Sequence, residues 1–405
     1  MSVDQNALNL HPVAGVRIGT AKAGIKYPDR TDVVIFELCE QSVIAGMFTR
    51  NRFCAAPVQL ARDHLSHKSP RYWIINTGNA NAGTGEQGLK DALRTCELIS
   101  TQTFCQSDEV LPFSTGVIGE LLPMAKLEAA IPHALADLNG SHWTQAARGI
   151  MTTDTRPKGA SKQIVVGDKT VTLSGITKGA GMIKPNMATM LAFVATDIGM
   201  DAPMLQKIHA EAVEKSFNRI TVDGDTSTND CCMVVATGKS GLVITENNPQ
   251  ELLLFKQALL ELYLQFAHAI ILDAEGATKF ITITIKGGKT EQECLEVAYT
   301  IAHSPLVKTA FFASDPNWGR ILAAIGRAPG MDDLDVSAVS VFLDDVRIVR
   351  HGGLSPEYTE AQGRRVMARA AITIRVELDR GEADATIWTS DLSHEYVRIN
   401  AEYRS

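Results

Sequence analysis

The sequence predicts a mixed α/β protein whose sheets are layered with helices, on three observations. Runs of strict two-residue alternation lie among 3.6-residue apolar periods, neighbouring strand-like runs are joined by short turns, and no steady strand–helix–strand alternation imposes an all-parallel sheet. Taken in chain order, Trp73-Ile74-Ile75 reads as a strand. Leu127, Ile131, Leu135 and Leu138 keep a helical period that Asn139-Gly140 should end. Ile164-Val165-Val166 and Val171-Thr172-Leu173 flank Gly167-Asp168, a hairpin turn. Met204, Leu205, Ile208 and Ala212 form a helical stripe after Asp201, an N-cap type. Leu252 to Leu272 is the most apolar stretch, and Gln257, Glu261, Gln265 and His268 leave one polar stripe on a mostly buried helix. Ile281, Ile283 and Ile285 alternate with threonines, and Ile372, Ile374, Val376 and Leu378 with Thr373, Arg375 and Glu377, so each is a strand with one face in. Val341-Phe342-Leu343 and Val346-Arg347-Ile348-Val349 flank Asp344-Asp345 as a second hairpin.

The 405 residues suffice for two or three domain-sized units at ~150 residues each, with cores that need no metal or disulfide staples. Net charge is −7 and the isoelectric point about 5.8, so a nucleic-acid partner, which needs a basic surface, is excluded. Seven cysteines, scattered and with no C-x-x-C, indicate buried thiols in a reducing cytoplasm. The N-terminal stretch carries Asp4 and no apolar core, so a signal peptide is not expected. Lys256 and Glu261 interrupt the most apolar stretch, and no membrane span is expected.

Several motifs have plain readings. Gly83 to Gly88 matches G-x-G-x-x-G, but seven residues separate it from the strand it should follow in a dinucleotide fold, which favours a Gly/Asn-rich turn entering a helix. Asp223 to Asp230 begins like a calcium loop, yet its twelfth position is Val234 rather than a bidentate Glu. A capped turn or a polar pocket wall fits it better. His64 and His67 stand among surface-type residues and read as solvated, so no metal site is expected. There is no G-x-S-x-G.

One segment stands apart, from Lys178 to Phe193: a Gly-rich, Pro-containing loop with two lysines that runs into Thr189 at the mouth of an apolar strand. Its glycines permit strained backbone or a close approach to a ligand, which suits an anion-binding or active-site turn. On residue type alone Thr189 is either a β-former opening a strand or a nucleophile. In Ser114-Thr115-Gly116, a hydroxyl beside a glycine amide makes a compact donor pair of the kind an oxyanion needs.

Together these pieces resemble the ornithine acetyltransferase (glutamate N-acetyltransferase) family of arginine biosynthesis. Lys178 to Leu191 is similar to that family's self-cleavage site, K-G-[AS]-G-M-I-x-P-N-M-A-T-M-L. Further matches are Ala23-Gly24-Ile25-Lys26, Asn76 to Ala82, Ser114 to Gly119, Met151 to Thr155, Asp223 to Asp230 and Asn400 to Ser405, so the resemblance spans essentially the whole chain. It implies a precursor that cuts itself between Ala188 and Thr189 into an α chain (1–188) and a β chain (189–405), assembled as two α and two β chains. It also implies a layered α/β sandwich similar to the self-processing aminopeptidase/esterases.

The implied chemistry is acetyl transfer from N2-acetyl-L-ornithine to L-glutamate through an acetyl ester on Thr189. A threonine hydroxyl needs a base. Cleavage would supply one, since a new α-amine with an ordinary pKa of ~7.7–8.0 is partly neutral near neutral pH. By the resemblance Thr115 and Gly116 form the oxyanion hole, and Thr152, Lys178, Thr189, Glu275, Asn400 and Ser405 bind substrate. Lys178 suits an α-carboxylate and Glu275 the ornithine ammonium. Glu275 alone also reads as a turn carboxylate, and Ser405 as a frayed terminus. No cofactor is implied. Family members that also accept acetyl-CoA share these motifs with members that do not, so that co-substrate stays open. The competing reading is a self-processing aminopeptidase or amidase that uses the same Thr189 and passes the acyl group to water.

Overall fold

The computed structural model describes residues 8–166, 169–184 and 190–403. The chain forms two units: Met1–Gly179, Pro185–Asn218 and Asp225–Ile270 make the first, and Ala180–Lys184, Arg219–Gly224 and Ile271–Ser405 the second. These spatial units are a different division from the expected cleavage products 1–188 and 189–405, which concern one covalent bond.

The strands of the first half of the chain are β1 (Val16–Ala21), β2 (Val33–Leu38), β3 (Val43–Phe48), β4 (Tyr72–Asn79) and β5 (Val110–Val117). They are followed by β6 (Lys158–Val166), β7 (Lys169–Lys178), β8 (Leu191–Thr196), β9 (Ile220–Thr221) and β10 (Cys231–Ala236). All but β9 belong to the first unit, in a four-stranded sheet ordered β1-β2-β4-β5 and a five-stranded sheet ordered β3-β10-β8-β7-β6. Both sheets are mixed: β4–β5 and β8–β10 run parallel, the other pairs antiparallel. β6 and β7 pair from Lys158↔Thr177 to Val166↔Lys169, as the hairpin reading expected; its turn residues, Gly167 and Asp168, lie outside the described residues.

The two sheets pack face to face. Val34, Phe36, Trp73, Ile75, Leu111 and Phe113 of one meet Ile176, Leu191, Phe193, Ala195, Met233 and Val235 of the other in one core. Phe193 is its centre, with ring centroids 5.7 Å from Phe36 and Trp73 and 5.1 Å from Phe113. Each such ring pair is worth about 0.5–1.5 kcal/mol beyond its burial. Helices α1 (Ala56–His67), α2 (Gly85–Thr103) and α3 (Met124–Ala136) cover the outer face of the four-stranded sheet. The short α4 (Trp143–Gly149) inserts Trp143 into the inter-sheet core. α5 (Ala202–Glu214) and α6 (Pro249–Leu272) lie on the five-stranded sheet, where Phe266 packs on Gly175 and His209 bridges Cys232 O at 2.9 Å and the Tyr263 hydroxyl at 2.8 Å. With both faces covered, β8 and β10 are buried at every position and read as continuous apolar runs.

The second unit is a seven-stranded sheet with helices on one face. After β11 (Phe280–Gly288) come α7 (Glu291–Ala302), α8 (Pro305–Phe312) and α9 (Trp318–Gly326). Then follow β12 (Ser340–Leu343), β13 (Val346–Arg350), β14 (Gly353–Leu354), α10 (Glu360–Met367), β15 (Ala371–Glu377), β16 (Ala383–Ser390) and α11 (His394–Ala401). The strand order is β14-β13-β12-β15-β11-β16-β9. Ile281, Ile283 and Ile285 stand beside Ile372, Ile374 and Val376 and pack on Val297, Ile301, Ile321 and Ile325. Each buried side chain of this size contributes about 1.5–3 kcal/mol, so a one-residue slip that swapped in Thr282, Thr284 and Arg375 would be prohibitive.

The expected helices are present. Asp201 caps α5 by accepting the Met204 N–H at 2.8 Å, and Gln257, Glu261, Gln265 and His268 form the wetter stripe of α6. α3 ends at Ala136, two residues short of Leu138. His64 corrects the solvated reading: it is 4% exposed and its Nδ1 meets Val110 O at 2.8 Å, while His67 is exposed. Of the cysteines, Cys96, Cys231, Cys232 and Cys294 are buried, and Cys39, Cys54 and Cys105 half-buried; all seven are free thiols.

Candidate active site

Strand pairing gathers the candidate residues of the first unit. β4 and β5 run side by side with Thr77 opposite Thr115 and Gly78 opposite Gly116. Gly116 has φ +138°, and a Cβ there would lie 2.3 Å from Gly78 C, so no side chain fits. Thr115 beside it is 9% exposed. β7 ends at Lys178, paired with Leu191, the first residue of β8. From there Lys178 Nζ reaches Thr115 Oγ1 in a long contact of 3.4 Å. The Thr115–Gly116 pair, Lys178 and the entry of β8 thus share one corner of the fold. Met190, directly after Thr189 in sequence, is 4% exposed, and its carbonyl accepts the Cys231 N–H at 3.1 Å. Ala188 and Thr189 themselves lie outside the described residues, as does Ser405.

Asp154 organises this corner, and the sequence reading missed it. Its Oδ1 accepts Lys158 Nζ at 2.6 Å and the Gly179 N–H at 2.8 Å, and its Oδ2 accepts the Thr152 N–H at 2.9 Å. Burial alone would raise this carboxyl. The Lys158 and Lys178 charges, with the Lys158 and Thr152 hydrogen bonds, outweigh it and hold the group well below the usual carboxylate range. Thr152 therefore enters the site through its backbone, which is pinned on the other side by Arg30 donating to Thr152 O at 3.2 Å.

The Asp223 to Asp230 stretch, expected as a capped turn or a polar pocket wall, spends Asp223 and Asn229 on backbone groups. In the first unit Asn229 donates to Ala80 O at 2.6 Å and Ser114 O at 2.9 Å, tying β5 in place next to Thr115. In the second unit Asp223 caps the backbone of Ala180–Lys184, accepting the Met182 and Ile183 N–H groups at 2.6 and 2.9 Å, and it also accepts the Tyr396 hydroxyl at 3.1 Å. Among the described residues no group of three His, Cys, Asp or Glu side chains is gathered as a metal site requires.

The second unit holds Glu275 and Asn400. Glu275 N–H donates to Ala180 O at 2.9 Å, and Asn400 Nδ2 donates to Glu275 Oε2 at 2.8 Å. The carboxylate lies against Gly181: an alanine Cβ there would stand 2.4 Å from Oε2. The glycine in the loop is thus a requirement of Glu275's position. At 9% exposure and with a fixed amide partner, Glu275 is more than a surface turn carboxylate.

The Gly83 to Gly88 pattern is a turn into α2, with Gly83 at φ +71° and Gly85 at φ +58°. No helix among the described residues is long and apolar enough to cross a membrane.

A family model described as the ArgJ family matches residues 17–405. The chain is 57% identical over 399 residues to the arginine biosynthesis bifunctional protein ArgJ of Pseudomonas fluorescens (strain Pf0-1), covering 98% of both chains. It is 56% identical over 397 residues to the protein of the same name from Pseudomonas syringae pv. tomato, again over 98% of both. Among solved structures, the Bacillus halodurans arginine biosynthesis bifunctional protein argJ is 35% identical with a TM-score of 0.50; the match covers 53% of this chain and 100% of that one.

Proposed function

The chain belongs to the ArgJ family, and from that membership we propose that it moves the acetyl group of N2-acetyl-L-ornithine onto L-glutamate through an acetyl ester on Thr189. The products are ornithine and N-acetylglutamate, in arginine biosynthesis. The observation that carries the reading is the 57% identity sustained along 98% of a chain named for arginine biosynthesis. The corner formed by Thr115, Gly116 and Lys178 at the entry of β8 supports it.

The precursor first opens the Ala188–Thr189 bond. Thr189 Oγ attacks the Ala188 carbonyl carbon, the C–N bond breaks, the hydroxyl proton passes to the leaving nitrogen, and water hydrolyses the ester. The freed α-amine then takes the Thr189 hydroxyl proton as Oγ attacks the acetyl carbonyl of acetylornithine. The amide C–N bond breaks and ornithine leaves with that proton. Glutamate's amine attacks the acetyl-threonine and returns a proton to Oγ. Thr115 and Gly116 hold the developing oxyanion, Lys178 an α-carboxylate, and Glu275 the ornithine ammonium. Thr152, Asn400 and Ser405 complete the substrate contacts. No cofactor takes part. The relatives' printed name, bifunctional, supports acetyl-CoA as a second donor. Two α and two β chains in the cytoplasm form the working enzyme. The Bacillus halodurans match supports the cut: 53% of 405 residues is about the length of residues 189–405.

Denaturing mass spectrometry of purified protein should show pieces of about 20 and 23 kDa, scaling 43.8 kDa by 188/405 and 217/405. Brief exposure to acetylornithine without glutamate should add one acetyl group to the larger piece, and glutamate should remove it. Active protein that stays one 43.8 kDa chain overturns the processing, and acetyl release to water at the same rate with or without glutamate favours the hydrolase. Thr115→Ala should lower kcat by roughly 10²–10³-fold, the usual cost of one oxyanion donor, with KM for acetylornithine changing far less. An unchanged kcat in a fully cut Thr115→Ala protein removes Thr115 from the mechanism.

A further inference from the structure

Tyr396 is a residue the proposed transfer leaves unused, and it belongs to a closed ring of contacts within the second unit. Ser393 caps α11: its side chain accepts the Tyr396 N–H at 3.3 Å and donates to Gly276 O at 2.6 Å. Gly276, the residue after Glu275, has φ +65°, and a Cβ there would stand 2.6 Å from Tyr396 N. The first turn of α11 is thus seated directly on the turn that carries Glu275. One helical turn after Tyr396, Asn400 donates to Tyr396 O at 3.0 Å and to Glu275 Oε2 at 2.8 Å.

The Tyr396 hydroxyl closes the ring. It donates to Asp223 Oδ2 at 3.1 Å, and Asp223 in turn holds the Met182 and Ile183 N–H groups. Met182 has φ +56°, a backbone conformation that a residue other than glycine keeps only when its surroundings hold it there. Asp223 supplies that hold. The same short segment includes Gly181, against which the Glu275 carboxylate rests, and Ala180, whose carbonyl takes the Glu275 N–H. Among the described residues Asn400 is the only hydrogen-bond donor to that carboxylate, so Oε1 keeps its accepting capacity.

We propose that Tyr396 is a positioning residue for donor selectivity. Through Asp223 and the Met182 backbone it fixes the surface on which the Glu275 carboxylate rests, and so the place where a donor's side-chain ammonium is received. The inference rests on the role given above to Glu275. An ammonium pairs well with a carboxylate only within a narrow range of distance and direction, so a carboxylate whose backing cannot yield discriminates better than one free to drift. Tyr396 exchanges no proton in this role; its hydroxyl acts through Asp223 and the loop.

The test gives the purified protein two acetyl donors: N-acetyl-L-ornithine, and N-acetyl-L-norvaline, which has the same carbon chain without the ammonium. Tyr396→Phe removes the hydroxyl and keeps the ring. It should lower the ratio of kcat/KM for acetylornithine over acetylnorvaline roughly 10-fold, the low end for losing a hydrogen bond to a charged group. The loss should lie mostly in KM for acetylornithine, with kcat changing far less. Glu275→Gln should lower the same ratio further. Tyr396→Phe added to Glu275→Gln should then change it by about twofold at most, because the tyrosine acts through the carboxylate. Tyr396→Phe that leaves the ratio unchanged, weakens both donors alike, or lowers the ratio as much on top of Glu275→Gln as alone overturns the inference, while the effect of Glu275→Gln stands. A ratio that Glu275→Gln leaves at the wild-type value overturns the Glu275 reading itself.

Discussion

Thr189→Ala is expected to yield a single intact chain with no measurable acetyl transfer. The substitution removes the one hydroxyl asked to attack first the Ala188 carbonyl and then the acetyl donor, and it leaves no second nucleophile to take over. Thr189→Ser separates the requirement for a hydroxyl from the requirement for its placement. Serine keeps the oxygen but lacks the branching methyl that restricts χ1, so its Oγ spends less time in any one rotamer. It should still be cut, more slowly or incompletely, and keep a reduced transferase activity. The measurements are the mass of the chain and the rate of N-acetylglutamate formation from acetylornithine. If the alanine variant is still cut at 188/189 and still transfers acetyl, Thr189 is only a strand residue.

Asp154→Ala should be the most damaging substitution away from Thr189. It deletes the acceptor of Lys158, whose side chain is 1% exposed, and of the Gly179 and Thr152 amides together. Breaking a buried pair by removing one partner typically costs about 3–5 kcal/mol, chiefly because the surviving charge is stranded. The urea midpoint should fall accordingly. Removing the stranded charge as well, in Asp154→Ala/Lys158→Met, should recover much of the loss, which a general packing defect would not. The pH dependence has a definite sign. The folded carboxyl titrates below its unfolded value of ~3.9, so its contribution is present above that value and is lost as pH falls toward the folded one. Wild type and the double variant should therefore converge in acid.

Local pattern carried much of the fold into view from sequence. The Ile281-Ile283-Ile285 and Ile372-Ile374-Val376 alternations are parallel neighbours, β11 and β15, in one sheet. The Asp344-Asp345 turn joins β12 to β13, with Asp344 at φ +50°. These signals are local, because one buried face writes its period directly into the residues. His64 had such a signal too: Pro57, Ala61 and His64 lie three and four apart on the buried side of α1, and the residue types around them masked it. The Asp154–Lys158 pair had none, since it joins a loop to the first residue of β6 and no helical face relates the two. The motif residues Thr115, Gly116 and Lys178 are brought to one corner by strand register, while Ala188, Thr189 and Ser405 lie outside the described residues.

The place of β8 in its sheet has a consequence for the history of the molecule. It lies between β7 and β10, six residues paired with each, and carries Phe193 into the aromatic cluster of Phe36, Trp73 and Phe113. With the bond at 188–189 open, β7 would belong to one polypeptide and β8 to another, yet no hydrogen bond of the ladder is lost. The products would be two covalent molecules sharing one indivisible interior. Before the cut, folding is a unimolecular event whose search is tethered by a short loop. Afterwards the same native state can be regained from unfolded pieces only when two chains meet in solution, at a rate set by their concentration. Processing would thus leave the native architecture in place and make unfolding far harder to undo, so that the mature protein's lifetime rests on how slowly it opens.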